Sequence, residues 1–211
     1  AREAPRPARA TMAAPTTVSM YLHAAAMVKA GVFLVARLCL ANSSVPHLPG
    51  LLMALMATAT MLVALYFFFH QIDLKRLLAY STIAHLAYVL FGFGLGLMGA
   101  HLGWYAGAMH IMNHSVGKGL LFLTVGAIAY STGTRRTDEL SGLAQTSPWT
   151  AIAFFVGMLA ILGVPPFSGF FSKFYLLLAA IQVGGWAGYL MVIPFLLEIV
   201  IAFAWVFHIG H

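Results

Sequence analysis

The run PGLLMALMATATMLVALYFFF, from Pro49 to Phe69, carries no charged side chain. About 20 apolar residues in helical form cross the roughly 30 Å hydrocarbon core of a bilayer. No water reaches a peptide group in that medium, so such a segment must close its own hydrogen bonds as a helix. This constraint narrows the choice of fold more than any motif in the chain. Comparable apolar stretches recur throughout, and none shows the period-two alternation of an outer-membrane strand. Only 8% of the 211 residues are charged and 62% are hydrophobic, against about 25% charged in a soluble domain. The reading is an all-α transmembrane protein, integral and multi-pass, with the lipid bilayer as its solvent.

Six spans are expected: Val18–Leu38, Pro49–Phe69, Leu77–Leu97, Trp104–Tyr130, Trp149–Ala180 and Trp186–His208. The fifth is long and interrupted around Pro165–Gly169. Residues 1–16 form an Arg-, Ala- and Pro-rich polar tail or part of a loop, and residues 17–211 form the transmembrane domain. The tail has no apolar core of the secretory-signal kind. An even span count puts both termini on one side. That side collects Arg2, Arg6, Arg9, Lys75, Arg76, Arg135 and Arg136, whereas the opposite loops offer only Arg37. By the positive-inside rule both termini face the cytoplasm, which makes an inner or cytoplasmic membrane the expected location. Trp104, Trp149, Trp186 and Trp205 fall near span ends, where indole rings anchor at the interface.

The charges are scattered over short loops and helix interiors, so a nucleic-acid partner is not expected. The lone cysteine, Cys39, permits no internal disulfide and no thiolate cluster. No flavin, haem or iron–sulfur ligand set is present, so no cofactor and no redox step are expected.

The informative residues are ionisable groups inside apolar runs. A central Lys or Asp costs roughly 2.5 to 3.5 kcal/mol on insertion scales, so it needs a partner, water or a purpose. Lys29 lies near the middle of the first span, with His23 six residues before it. His110, His114 and Lys118 follow one another at four-residue steps in HIMNHSVGKGLLFL and therefore share one helix face. Metal ligation, a proton wire and a packed polar seam all fit that spacing. A metal would need a further ligand, the Glu of a zinc-protease helix is missing, and Lys118 would repel a cation. Histidine titrates near neutral pH and a desolvated lysine moves toward it, so the row could pass protons. Lys173 sits in LGVPPFSGFFSKFYLLL, where Pro165, Pro166 and Gly169 break a helix that protein or water must then satisfy. Broken helices with an adjacent charge mark ion sites in transporters. His85 is either a relay residue or a core histidine. Glu198 is the acid within a span and could pair with a buried lysine.

Four segments, AAPTTVSMYLHAAAMVKAGVFLVAR, DLKRLLAYSTIAHLAY, HIMNHSVGKGLLFLTVGAI with GTRRTDELSGL, and GVPPFSGFFSKFYLLL, occur in this order. Together they resemble the antiporter-like proton-translocating family. That family includes antiporter-like subunits of respiratory complex I, large subunits of multi-subunit sodium/proton antiporters, and subunits of membrane-bound hydrogenases and formate hydrogenlyases. The resemblance implies a fold of inverted five-helix repeats. This sequence is similar to one preceding helix plus the second repeat. It also implies a lateral proton relay through His23, Lys29, His85, His110, His114, Lys118, Lys173 and Glu198. Other membrane subunits would be partners, and protons or sodium ions would be the cargo. The first repeat's central lysine and its glutamate partner lie outside the resemblance. The chain is therefore expected to be a fragment of a longer product or to be completed by another polypeptide. The alternatives are a non-pumping structural subunit bracing such a complex and a stand-alone metal transporter using the histidine row.

Overall fold

The computed structural model describes residues 27–41, 47–140 and 142–186, together with 188–189, 192–193, 195–197 and 199–200. His23 and Glu198 lie outside the described residues. The helices are α1 (Met27–Ala41), α2 (His47–Phe69), α3 (Leu74–Leu97), α4 (His101–Thr132), the short α5 (Leu143–Thr146), α6 (Pro148–Leu162) and α7 (Ser168–Val183). Described residues between 185 and 200 are helical too. Helices α2, α3 and α4 are each long and apolar enough to cross a membrane. The chain is an integral, multi-pass membrane protein. Helix α4 has 32 residues, about 48 Å at 1.5 Å per residue, so it must tilt or extend beyond the hydrocarbon.

Lipid offers helices no hydrophobic drive to associate, so close backbone approach through small residues takes over. Gly50 of α2 lies against Gly94 of α3, where an added Cβ would come 2.8 Å from the Gly94 carbonyl oxygen. Gly103 of α4 is tighter still, with a Cβ position 2.4 Å from the carbonyl oxygen of Gly92. The α3–α4 turn passes through Gly99 at φ 99°, a left-handed conformation that suits glycine.

Helix α3 begins at Leu74, three residues before the expected Leu77, because Asp73 caps it. Its Oδ1 accepts from the backbone N–H of Lys75 at 2.8 Å and of Arg76 at 3.1 Å. Lys75 thereby enters the helix and is buried. The same turn is tied to the loop after α4. The Leu74 N–H donates to the Arg135 carbonyl at 3.0 Å, and the Thr137 N–H donates to the Ile72 carbonyl at 2.9 Å. Two basic loops expected on one side are thus joined by a backbone bridge between Asp73 and Arg136.

The expected interruption falls at residues 163–167. Helix α6 starts on Pro148, where the missing N–H is no loss, and stops at Gly163, which has φ 80°. The Pro165–Pro166 bond is cis. The chain folds back at the break, so that Gly169 in the first turn of α7 abuts the last turn of α6. An added Cβ there would meet the Ala160 carbonyl oxygen at 2.0 Å. A helix of 15 residues and one of 16 make up the interrupted segment. Each is about 23–24 Å long, short of the hydrocarbon core on its own.

Among the described residues, two larger apolar clusters and a smaller one around Val32, Ala36, Val89 and Phe93 fill the interior. One of the larger two contains Met61, Tyr88, Phe91, Leu95, Ala106, Leu176 and Phe195. The other contains Leu65, Leu77, Leu78, Leu121, Phe122, Val125 and Ile161. On α3 the second cluster ends at Leu78 and the first begins at Ala87; on α4 the first ends at Ala106 and the second begins at Leu121. His85 of α3 and His110, His114 and Lys118 of α4, all buried, fall in the interval between.

Candidate functional site: a buried seam of lysines, histidines and serines

Helical spacing brings the bases inward. On α4, His110, His114 and Lys118 recur at intervals of four and all are buried, Lys118 with 0% exposure. On α1 the buried face is Lys29, Val32 and Ala36. On α7 it includes Gly169, Ser172, Lys173 and Leu176, so Lys173 is 4% exposed. His85 of α3 faces the same interior. Six of the eight residues singled out in the sequence therefore lie in the buried interior of α1, α3, α4 and α7.

Lys29 of α1 and Lys118 of α4 both have serine partners. Lys29 Nζ donates to Ser115 Oγ. Ser115 Oγ in turn donates to the Ile111 carbonyl at 2.6 Å. Lys118 Nζ donates to the Leu78 carbonyl at 3.0 Å and to Ser81 Oγ. These oxygens replace the water that a buried ammonium loses.

The histidines form the middle of the seam. His85 Nδ1 and His110 Nε2 are 2.9 Å apart, with the rings stacked at 5.1 Å between centroids. His110 Nδ1 is 2.9 Å from Ser172 Oγ, which donates to the Gly169 carbonyl at 3.0 Å. The His114 ring centroid is 5.4 Å from that of His85. His114 Nε2 and Tyr88 Oη are buried without a hydrogen-bond partner among the described residues. An unmet buried polar atom costs about 1–3 kcal/mol, which makes both atoms natural contacts for internal water. Lys173 Nζ lies over the Tyr88 ring, 4.8 Å from its centroid. A cavity of about 30 Å³ is bordered by Ser81, His85 and Lys173 on its polar side and by Leu65, Phe68 and Met158 on its apolar side. That volume suffices for a water or two.

His110 spends both ring nitrogens on His85 and Ser172, leaving no lone pair for a cation. Among the described residues, no three His, Cys, Asp or Glu side chains are placed to hold a metal ion.

Outside the spans, Arg136 donates to Asp138 from Nε at 3.1 Å and from Nη2 at 2.6 Å. This hydrogen bonding holds the Asp138 carboxyl below its ordinary value and raises the guanidinium of Arg136.

Sequence reasoning missed Ser81, Ser115, Ser172 and Tyr88. A usable signal existed for one of them: Ser81 precedes His85 by four residues and must share its face. Ser115 and Ser172 contact bases on other helices, and no spacing within one helix reveals that.

The chain is similar to parts of known antiporter and respiratory membrane proteins. The A/B subunit of the probable K(+)/H(+) antiporter of Rhizobium meliloti (strain 1021) is 42% identical over 167 residues, covering 77% of this chain and 16% of that protein. The structure of the Mrp complex from Dietzia sp. DQ12-45-1b superposes with a TM-score of 0.81 at 35% identity, over 90% of this chain and 21% of that one. The membrane-bound sulfane sulfur reductase, an archaeal respiratory membrane complex, gives a TM-score of 0.83 at 28% identity, over 93% of this chain and 39% of that one. The chain thus spans a minor part of the length of each of these relatives. The family described as "NADH:quinone oxidoreductase/Mrp antiporter, TM" matches residues 8–201. A seam of buried bases beside a broken helix, on a fold shared with these proteins, accompanies a match over nearly the whole sequence: the chain belongs to the NADH:quinone oxidoreductase/Mrp antiporter transmembrane family.

Proposed function

We propose that this chain is a proton-translocating part of an antiporter-like subunit in a multi-subunit membrane complex. Protons move laterally along Lys29, His114, Lys118, His85 and His110 toward Lys173, and leave on the non-cytoplasmic side. His23 and Glu198, which lie outside the described residues, complete the proposed set of relay residues. The observation that carries this reading is the set of six buried bases on α1, α3, α4 and α7, four of them in the interval between two apolar clusters along α3 and α4. A path for protons needs titratable groups within reach of one another and walls that exclude other routes. The unmet nitrogen of His114 and the cavity beside His85 and Lys173 suit water bridging between stations.

The bridge between Asp73 and Arg136 gathers Lys75, Arg76, Arg135 and Arg136 at one end of the bundle. That clustering supports a cytoplasmic position for this end and, with six spans, for both termini. The solved relatives are complexes of antiporter and respiratory type, which supports partner membrane subunits here as well. Driving energy then comes from redox chemistry in a partner or from exchange against another cation such as sodium.

Proton flux into liposomes containing the assembled complex tests the proposal. Lys118→Ala and Lys173→Ala are each expected to abolish most of the flux. Undiminished flux in both would overturn it. A brace without transport is the second reading, favoured by the serine partners that satisfy Lys29 and Lys118. The same measurement separates the two.

A further inference from the structure

One set of proton positions satisfies all three contacts around His110 and Ser172 at once. A backbone carbonyl carries no hydrogen, so the contact of 3.0 Å between Ser172 Oγ and the Gly169 oxygen requires the serine hydroxyl to donate there. Ser172 then has only lone pairs to offer His110, 2.9 Å away. The His110 Nδ1 must therefore carry the proton. In the neutral ring its Nε2 is a lone pair, so the contact of 2.9 Å with His85 requires His85 Nδ1 to donate. His85 Nε2 is then the open basic end of the chain. Three donors point one way, from α3 through α4 to the first turn of α7.

We propose that Ser172 is a positioning residue that fixes the tautomers of His85 and His110, and thereby the direction in which a proton crosses this pair. The proposal rests on the relay reading given above. A proton arriving at His85 Nε2 forms a new N–H bond there, and the His85 Nδ1–H bond breaks as its proton moves to His110 Nε2. The His110 Nδ1–H bond breaks as its proton forms a new O–H bond to Ser172 Oγ, and the hydroxyl's former hydrogen passes from Oγ to an internal water, so one proton enters at His85 Nε2, one leaves at the serine, and no charge is left behind. His110 Nδ1 is then a lone pair, and the Ser172 hydroxyl, now carrying the hydrogen received from His110, donates to it instead of to the Gly169 carbonyl. The hydroxyl has two stations, Gly169 O in the loaded pair and His110 Nδ1 in the discharged pair. Reloading requires it to return and both rings to regain the Nδ1–H tautomer. A hydroxyl is suited to this role because it both donates and accepts and turns about a single bond.

The arrangement depends on the break in the helix. Ser172 reaches His110 only because α7 starts afresh after residues 163–167, with Gly169 pressed on Ala160. The wire thus ends at the part of the fold where backbone geometry is least regular.

Histidine-labelled chain in its intact complex, studied by solid-state nitrogen NMR, reads the tautomer directly. The His110 signals are assigned from their loss in His110→Gln. In the wild type at a pH where the pair is neutral, His110 is expected as the Nδ1–H tautomer. Ser172→Ala is expected to shift it to Nε2–H, and Ser172→Thr to restore Nδ1–H. Proton flux should fall at least about tenfold in Ser172→Ala and recover in Ser172→Thr. An Nε2–H tautomer in the wild type, or no change in Ser172→Ala, would overturn the proposal. A changed tautomer with full flux would also overturn it, provided Lys118→Ala in the same preparation stops flux and so upholds the relay. Full flux in Lys118→Ala as well would instead remove the relay reading on which it rests.

Discussion

Gly103 and Gly92 touch backbone to backbone: a Cβ on Gly103 would stand 2.4 Å from the Gly92 carbonyl oxygen. This contact sets how closely α3 approaches α4, and His85 and His110 sit one on each of these helices with 2.9 Å between ring nitrogens. Gly103→Ala forces the helices apart at a point where neither backbone can yield. Overpacking of this kind costs typically about 1–3 kcal/mol. The expected result is a lower thermal unfolding midpoint in detergent, together with loss of the His85–His110 contact in a structure of the variant. An unchanged midpoint would show that the two helices are free to slide.

Asp73 caps α3 and shares the bridge to the loop after α4. Asp73→Ala leaves two backbone donors unmet at the helix start and is expected to destabilise by about 1 kcal/mol. Asp73→Asn, which keeps the acceptor, should lose much less. Chemical unfolding of the two variants side by side checks the order.

How much of this was open to sequence reasoning depended on where the determining contact lay. The uncharged run ending at Phe69 placed α2 to within two residues at its start, because nothing but a helix satisfies such a segment in lipid. Pro165, Pro166 and Gly169 placed the break for an equally local reason, the loss of backbone donors. The start of α3 was read late because Lys75 and Arg76 look like loop residues; their entry into the helix follows from Asp73 and from the distant Arg135 carbonyl. The histidine row was legible from its four-residue period. Its partners were not. The pairing of Lys118 with Ser81, of Lys29 with Ser115 and of His110 with Ser172 depends on how closely four helices approach. That approach is set by glycines whose contacts lie across the bundle.

The loop after α4 should respond to acid. Asp138 is hydrogen-bonded to Arg136, and its carboxyl is held below the ordinary value. A carboxylate depressed in the folded state contributes its stabilisation above its unfolded pKa of about 3.9 and loses it as pH falls through the lower folded value. The Arg136 contact should therefore be intact at neutral pH and disappear only in acid. A carboxyl-carbon NMR titration of Asp138 is expected to show a midpoint below about 3.9, and Arg136→Gln should move it upward. Both side chains are about half exposed, so the unfolding midpoint near neutral pH should barely change in that variant.

Lys118 separates transport from architecture. Its ammonium is fully buried and held by the Leu78 carbonyl and Ser81. Desolvating a charge costs several kcal/mol, and partners return only part of that cost. Methionine has nearly the same length and volume but no charge to desolvate. If the lysine served to hold α3 against α4, Lys118→Met would lower the unfolding midpoint and transport would fall only in proportion to folded protein. If it serves as a proton station, the variant should be at least as stable as the wild type. Its flux, measured per assembled complex, should nevertheless drop by at least about a hundredfold, the scale on which a positioned acid or base acts. Arginine gives the complementary control. It keeps the charge and cannot release its proton, so Lys118→Arg should block flux as fully as Lys118→Met while occupying the same interior position. Retained flux in the arginine variant would mean that a fixed charge is sufficient and that Lys118 never gives up its proton.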